Sequence, residues 1–206
     1  MALALLAVPS PASANHEYDG MMPTGNYNVI CLDQSGPKTG QVCQTDNANV
    51  YWYADGSSPG ELESNDLTSL RNMLNSQYGP TTDLVLTYDS SPVFSGDAET
   101  DIVYQEVESG LALPAGLLGA MWCNGAAQAF YECDQAYVRI VSSDGYRIHD
   151  GSVACHETGH AVGLVHGNDA SPRLNVEDNR LGCMESGAQF PAGLGASSAH
   201  LINATY

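Results

Sequence analysis

The eleven residues from 156 to 166 combine residue types that can hold a metal ion. They read His-Glu-Thr-Gly-His-Ala-Val-Gly-Leu-Val-His, which is the pattern H-E-x-x-H-x-x-G-x-x-H. Residues four apart lie on the same face of a helix, so His156 and His160 can offer two imidazole nitrogens to a single ion. Gly163 can adopt the left-handed backbone that ends a helix sharply, and His166 can then turn back as a third ligand. The spacing predicts a zinc site.

Glu157 follows the first histidine and is placed to act on water without being a ligand. Three neutral imidazoles would leave zinc doubly charged with one open position, where the pKa of a water molecule falls to about 7. Glu157 can accept the proton of that water, which predicts hydrolysis of a peptide carbonyl with Glu157 as general base. Other amides and esters contain the same carbonyl, so a non-peptide zinc hydrolase is one alternative. An exported zinc-binding module without hydrolysis is another, although it would need the histidines and not the glutamate.

The chain has six cysteines, an even number that favours disulfides in an exported protein. None forms a C-x-x-C pair, so a structural zinc cluster is not indicated. Sequence proximity favours a bond within the first two and within the next two cysteines. The last two would tie the predicted zinc helix to a later segment, and two free, buried thiols are the alternative for them. The pairs are Cys31 with Cys43, Cys123 with Cys133, and Cys155 with Cys183.

The charge of the chain limits its partners. Six basic residues stand against 24 acidic ones, a formal net charge of -18. Nucleic acid and anionic membranes are poor partners for such a surface, so we expect protein or peptide substrates and a monomeric chain. A structural calcium ion is compatible with the acidic composition, but no D-x-D-x-D-G loop supports one.

The first residues have the features of a targeting segment. Met1–Ala14 contains an apolar run followed by Ala12-Ser13-Ala14, which resembles the end of a secretory signal peptide, although a basic n-region is missing. No later stretch is apolar enough to span a membrane. We therefore expect a secreted protein.

The length of the chain predicts one domain over residues 15–206. Hydrophobic patterning predicts both helices and strands in it, as in an α+β fold. The longest helical pattern starts near a cap at Ser64 or Asn65 and stops at Gly79-Pro80. The predicted strands are Gly25–Leu32, Asn49–Tyr53, Asp83–Tyr88, Asp101–Gln105 and Ala136–Val141, and the predicted helices are Ser64–Tyr78, about 151–164, and Ser197–Ala204.

From Cys155 to Met184 the sequence resembles the metzincin clan of zinc endopeptidases. The extended histidine pattern is followed by Leu181-Gly182-Cys183-Met184, which is similar to the Met-turn of that clan. The small size and the leader are most similar to small secreted bacterial proteases of the snapalysin type. The resemblance implies a mixed twisted sheet, an active-site zinc helix and a C-terminal helix. It also implies that Met184 forms a hydrophobic floor below the histidines.

Two positions depart from these relatives. Snapalysin-type enzymes have aspartate where this chain has His166, and Asp169 is the fallback as third ligand. Other metzincins have a tyrosine two residues after the Met-turn methionine, where this chain has Ser186. A group that assists the transition state is therefore unassigned, and the candidates are Tyr131, Tyr137 and Tyr146.

The remaining histidines and one sequon have ordinary interpretations. His16, His149 and His200 are expected at the surface. Asn203-Ala204-Thr205 is a glycosylation sequon that matters only where the source glycosylates.

Overall fold

The computed structural model describes residues 17–37, 41–96, 98–107, 113–126, 131–141, 151–186 and 193–206. The expected leader over residues 1–14 lies outside these ranges, as do His16, Tyr146 and His149. Within the ranges, no helix has the length and apolar character needed to cross a membrane.

The described elements form one mixed sheet accompanied by helices. The strands are β1 (Gln44–Thr45), β2 (Asn49–Ala54), β3 (Val85–Tyr88), β4 (Ile102–Glu106), β5 (Gly119–Ala126) and β6 (Glu132–Ile140). The helices are α1 (Ser64–Met73), α2 (Ser152–Ala161) and α3 (Ala196–Thr205). The sheet order is β1-β6-β4-β2-β3 with parallel neighbours, and β5 pairs antiparallel with β6. Helices together with a mixed sheet agree with the predicted class at this coarse level.

One face of the sheet carries the core below α2. In β2, Val50, Trp52 and Ala54 are buried and alternate with more exposed neighbours, as expected for a strand with one covered face. The Trp52 ring meets the Tyr104 ring edge-on at a centroid distance of 6.0 Å. Tyr104 in turn places its hydroxyl 2.9 Å from the Thr158 hydroxyl of α2. The sheet therefore supports the helix that contains the first two histidines.

The prediction of a first strand over Gly25–Leu32 is wrong. Side chains there alternate in exposure, but no described strand supplies a hydrogen-bond ladder to this segment. Cys31 is instead held by its disulfide to Cys43, and the Ile30 carbonyl accepts a hydrogen bond from the Gln41 side chain.

Strand β5 was not predicted. Its sequence is rich in glycine and alanine, which have weak strand propensity. Pairing with β6, for example Met121 opposite Val138, provides the hydrogen bonds that hold it extended.

The other predicted strands and helices are present, with shifted ends. The first helix begins at Ser64, but its N-cap is Glu63 and no side chain caps it. From Leu74 to Tyr78 it continues as a π-helical turn. Helix α3 extends the predicted C-terminal helix by one residue at each end.

The disulfides join the pairs that the sequence favoured. The structure contains Cys31–Cys43, Cys123–Cys133 and Cys155–Cys183, and no described cysteine is free. Three disulfides are typical of proteins from oxidising compartments.

Candidate metal centre

Helix α2 is fixed from several sides. All its residues are buried, and it packs against β5, β6 and α1. The Tyr78 hydroxyl donates to the Cys155 carbonyl at 2.6 Å. A Cβ atom at Gly159 would collide with the Met184 sulfur, so only glycine allows this approach. The helix backbone thus presents His156 and His160 from a rigid frame.

Gly163 ends the helix in a Schellman motif. Its φ is +96°, a left-handed conformation that favours glycine. The Gly163 amide donates to the His160 carbonyl at 3.1 Å, and the Leu164 amide donates to the Gly159 carbonyl at 2.8 Å. The α-helix therefore ends at Ala161, three residues before the predicted end, and the chain turns back towards His166.

The three predicted histidine ligands converge on one point. Nε2 of His156 is 3.0 Å from Nε2 of His166, and Nε2 of His160 is 3.1 Å from each of them. Tetrahedral zinc at about 2.0–2.1 Å from imidazole needs ligand nitrogens about 3.3 Å apart, so these atoms fit one zinc ion with little adjustment. Asp169 is not part of this group, although it lies in the same cleft.

Backbone carbonyls fix the tautomers of two of these rings. His156 Nδ1 lies 2.7 Å from the Cys183 carbonyl oxygen, and His160 Nδ1 lies 2.7 Å from the Leu164 carbonyl oxygen. A carbonyl only accepts, so each Nδ1 carries the proton and donates it. The Nε2 lone pairs of the neutral rings therefore face each other, an unfavourable arrangement unless a cation lies between them.

Burial keeps the imidazoles in the neutral form that binds metal. Burial, and secondarily His166, lowers the pKa of His156 to about 4. Burial also lowers the pKa of His160 well below its usual value, with a smaller effect from the neighbouring histidines. The pKa of His166 is lowered by burial and raised slightly by Asp169. Protonated rings would repel both each other and a metal cation.

Glu157 faces the cleft next to β5. Its side chain is 6% exposed, and burial raises the pKa of its carboxyl to about 8. A Cβ atom at Gly119 would lie 2.7 Å from Glu157 Cγ and Oε1, so Gly119 leaves the space that the carboxylate occupies. Sequence reasoning missed Gly119, because nothing in its neighbourhood signals the close approach of a helix.

The segment that carries His166 is held by residues near the start of the described chain. The Met22 amide donates to the Gly163 carbonyl at 2.9 Å, and the Val165 amide donates to the Gly20 carbonyl at 2.9 Å. The Thr24 hydroxyl donates to the Asp169 carbonyl at 2.5 Å. These bonds lie on both sides of the third histidine and restrict its backbone.

Met184 packs against helix α2, and the residue before it, Cys183, is covalently bonded to that helix. Met184 is fully buried, and its sulfur occupies the space beside the backbone of Gly159. The Cys155–Cys183 disulfide joins α2 to this segment. The same segment provides the carbonyl that orients His156.

A cleft of about 740 Å³ opens over the histidines. Its wall includes Leu117 and Leu118, which are nearly half exposed, and Tyr27. The cleft is further lined by Val153, Glu157, Asp169, Ser186 and the three histidines.

Two of the three tyrosine candidates, Tyr131 and Tyr137, lie elsewhere, and Tyr146 is outside the described residues. Tyr137 stacks on Trp122, and Tyr131 packs against the small apolar cluster of Val165 and its neighbours. Neither is among the described residues that line the cleft, whereas Tyr27, which the sequence did not single out, is. Its hydroxyl accepts a hydrogen bond from the Val42 amide at 2.8 Å.

Comparisons with known proteins identify no family for this chain. No protein-family model matches the chain, and no curated protein matches it. Among solved structures, the crystal structure of myroilysin is similar with a TM-score of 0.31 and 14% sequence identity. The match covers 80% of this chain, which spans 61% of that chain. A likeness at this level assigns neither fold nor function.

Proposed function

We propose that the protein is a secreted zinc-dependent endopeptidase. The observation that carries the proposal is the triangle of Nε2 atoms at 3.0 to 3.1 Å, formed by His156, His160 and His166. Two of these rings direct lone pairs to the centre, and the donor set of three imidazoles suits zinc.

The residues of the cleft support hydrolysis. Bound zinc supplies Lewis-acid chemistry: it polarises a carbonyl group and makes water a stronger acid. Glu157 lies in the same cleft as the three rings and is the candidate general base. It accepts the proton of the attacking water and returns it to the leaving amine as the peptide bond breaks. A site that only stored zinc would need no carboxylate here.

The wall of the cleft supports an extended peptide as substrate. Among the described residues, β5 pairs with β6 alone, and its residues Gly119, Ala120 and Met121 line the cleft. An extended peptide can add to such an edge through main-chain hydrogen bonds. A small ester has no peptide main chain and cannot bind in this way. The exposed Leu117 and Leu118 provide apolar contact area beside it.

The proposal also covers the class of enzyme, its domain organisation and its partners. The histidine pattern, the buried Met184 and the disulfide from Cys155 to Cys183 support a metzincin-like enzyme. We propose residues 15–206 as one catalytic domain that acts as a monomer and binds neither nucleic acid nor membranes, in line with the net charge of -18.

Metal analysis and a cleavage assay on the same preparation test this function. The purified protein should contain one zinc ion per chain and cleave internal bonds in a mixed peptide library. A chelator should abolish cleavage, and added zinc should restore it. A zinc-loaded protein that cleaves no peptide but hydrolyses small esters would favour the non-peptide hydrolase. Zinc binding without any hydrolysis would favour the binding module.

A further inference from the structure

A second group of side chains with metal-ligand chemistry lies at the start of α1. Glu63 is the N-cap of the helix, Asp66 lies in its first turn, and Glu106 is the last residue of β4. One carboxylate oxygen of each residue lies within 4.8 Å of the others. The group shares no residue with the histidine centre.

Two of these carboxylates are removed from solvent. Asp66 is 6% exposed and Glu106 is 4% exposed. Asp66 Oδ2 is fully buried and has no hydrogen-bond donor. A buried acceptor without a donor destabilises the folded state, and more so when it is charged. The position of Asp66 therefore needs a positive partner.

The helix terminus alone does not account for this arrangement. An acidic residue in the first turn interacts favourably with the positive end of a helix. That interaction needs one carboxylate, and it is strongest when the carboxylate accepts a bond from a free amide of the first turn. Asp66 Oδ2 has no hydrogen-bond partner, so the amides of the first turn do not satisfy it in this way.

We propose that Glu63, Asp66 and Glu106 form a calcium site. All three donors are carboxylate oxygens, which calcium prefers, whereas zinc prefers nitrogen and sulfur. Calcium takes six to eight oxygen ligands, so bidentate carboxylates and water complete the shell. Magnesium demands a tighter octahedron and keeps most of its water, which suits a site of three side chains from two elements less well.

The ion would join two elements that lead to the cleft. The Glu106 amide donates to the Gly60 carbonyl at 3.1 Å, which holds β4 against the chain before α1. After β4 the chain runs to residues 114–119, which form the cleft wall. Calcium bound here would stabilise the fold and leave the zinc ligands untouched.

Thermal unfolding of the full chain tests the site. The protein is first saturated with zinc, so that added calcium does not compete for the histidines. The unfolding midpoint of the wild type should rise by on the order of 5–10 °C at calcium about 100-fold above its Kd. Calorimetric titration should give one calcium ion per chain. An unchanged midpoint, or an equal response to magnesium, would overturn the proposal.

Two variants and a control locate the ion. Asp66→Asn should lose most of the calcium response, yet without calcium it should unfold at the wild-type temperature or above, because a buried charge is gone. Glu106→Gln should also lose most of the calcium response. It provides a second test of the site if Asp66→Asn does not fold. The exposed Glu177 is the matched control, and Glu177→Gln should respond as the wild type. A full calcium response in both site variants would contradict the assignment.

Discussion

His156 Nδ1 donates to the carbonyl oxygen of Cys183 at 2.7 Å, and Cys183 is bonded through sulfur to Cys155, the residue before this histidine. The disulfide therefore holds the acceptor that orients the first ligand. Removal of the hydrogen-bond partner of a metal-bound histidine typically lowers metal affinity by about 10–100-fold.

Replacing Cys155 and Cys183 together by alanine should lower zinc affinity by about 10-fold. It should also cost about 2–5 kcal/mol of unfolding free energy. Competition with a chromogenic chelator measures the affinity. Removing Cys123 and Cys133 instead is the matched control, because no described ligand bonds to that pair. An equal loss of zinc affinity in the control would show that the effect is general destabilisation.

Gly163→Ala should impair both the fold and the zinc site. The new Cβ would lie 2.6 Å from Gln44 Cγ and 2.8 Å from Met21 Sδ, at a φ of +96°. The left-handed backbone alone costs roughly 1–2 kcal/mol. Gly96 has a φ of +91° and nothing within 4 Å, so Gly96→Ala isolates that cost. Only the Gly163 variant should lose zinc affinity; equal affinities in the two variants would refute the role of this turn.

Gly119→Ala should reduce peptide hydrolysis and leave zinc bound. The added methyl group would lie 2.7 Å from Glu157 Oε1 and displace that carboxylate from the cleft. A base displaced by about 1 Å can cost on the order of 100-fold in rate. Gly56 lies outside the cleft, and in Gly56→Ala the added methyl group would meet only the Tyr53 hydroxyl, at 4.0 Å, so kcat should change little. A Gly119 variant with wild-type kcat would show that Glu157 does not depend on this space.

Asp101 should make stability depend on pH. Burial and, to a smaller degree, Asp46 raise the pKa of Asp101 from 3.8 to about 7, although the Tyr51 amide donates to its carboxylate. Between these pH values the folded state binds a proton at Asp101 that the unfolded state does not. Binding of this proton therefore stabilises the fold fully below about pH 4, and the stabilisation is lost as the pH rises through about 7.

Urea unfolding at about pH 5 and about pH 8 measures this effect. Asp101→Asn is neutral at both values, so its stability relative to the wild type should increase with pH. Asp46→Asn should reduce the slope of the wild type, since it removes a neighbouring negative charge. Parallel pH profiles for the wild type and Asp101→Asn would disprove the assignment.

The sequence predicted those parts of the site that depend on local spacing. His156 and His160 lie one helical turn apart, and Gly163 has the backbone freedom that the turn to His166 requires. The carbonyls of Cys183 and Leu164 carry no sequence signal, since every residue has one and only the tertiary fold selects these two. Gly119 was missed for the same reason.

The fold shows the same division between local and tertiary information. Helix α1 was predicted from its apolar periodicity, but its π-helical end at Leu74–Tyr78 was not, because periodicity does not distinguish the two helix types. The false strand over Gly25–Leu32 has a suitable pattern but no partner strand. Strand β5 has a weak pattern and exists because β6 lies beside it.

Zinc content and peptide cleavage, measured together for the wild type, Glu157→Gln and His160→Ala, test the central claim most directly. The wild type should hold one zinc ion and cleave peptides. Glu157→Gln should hold the same zinc with a rate lower by about 10²–10⁴-fold, because it loses the general base and keeps the ligands. His160→Ala should lose both zinc and cleavage. Wild-type cleavage by zinc-loaded Glu157→Gln would contradict the account.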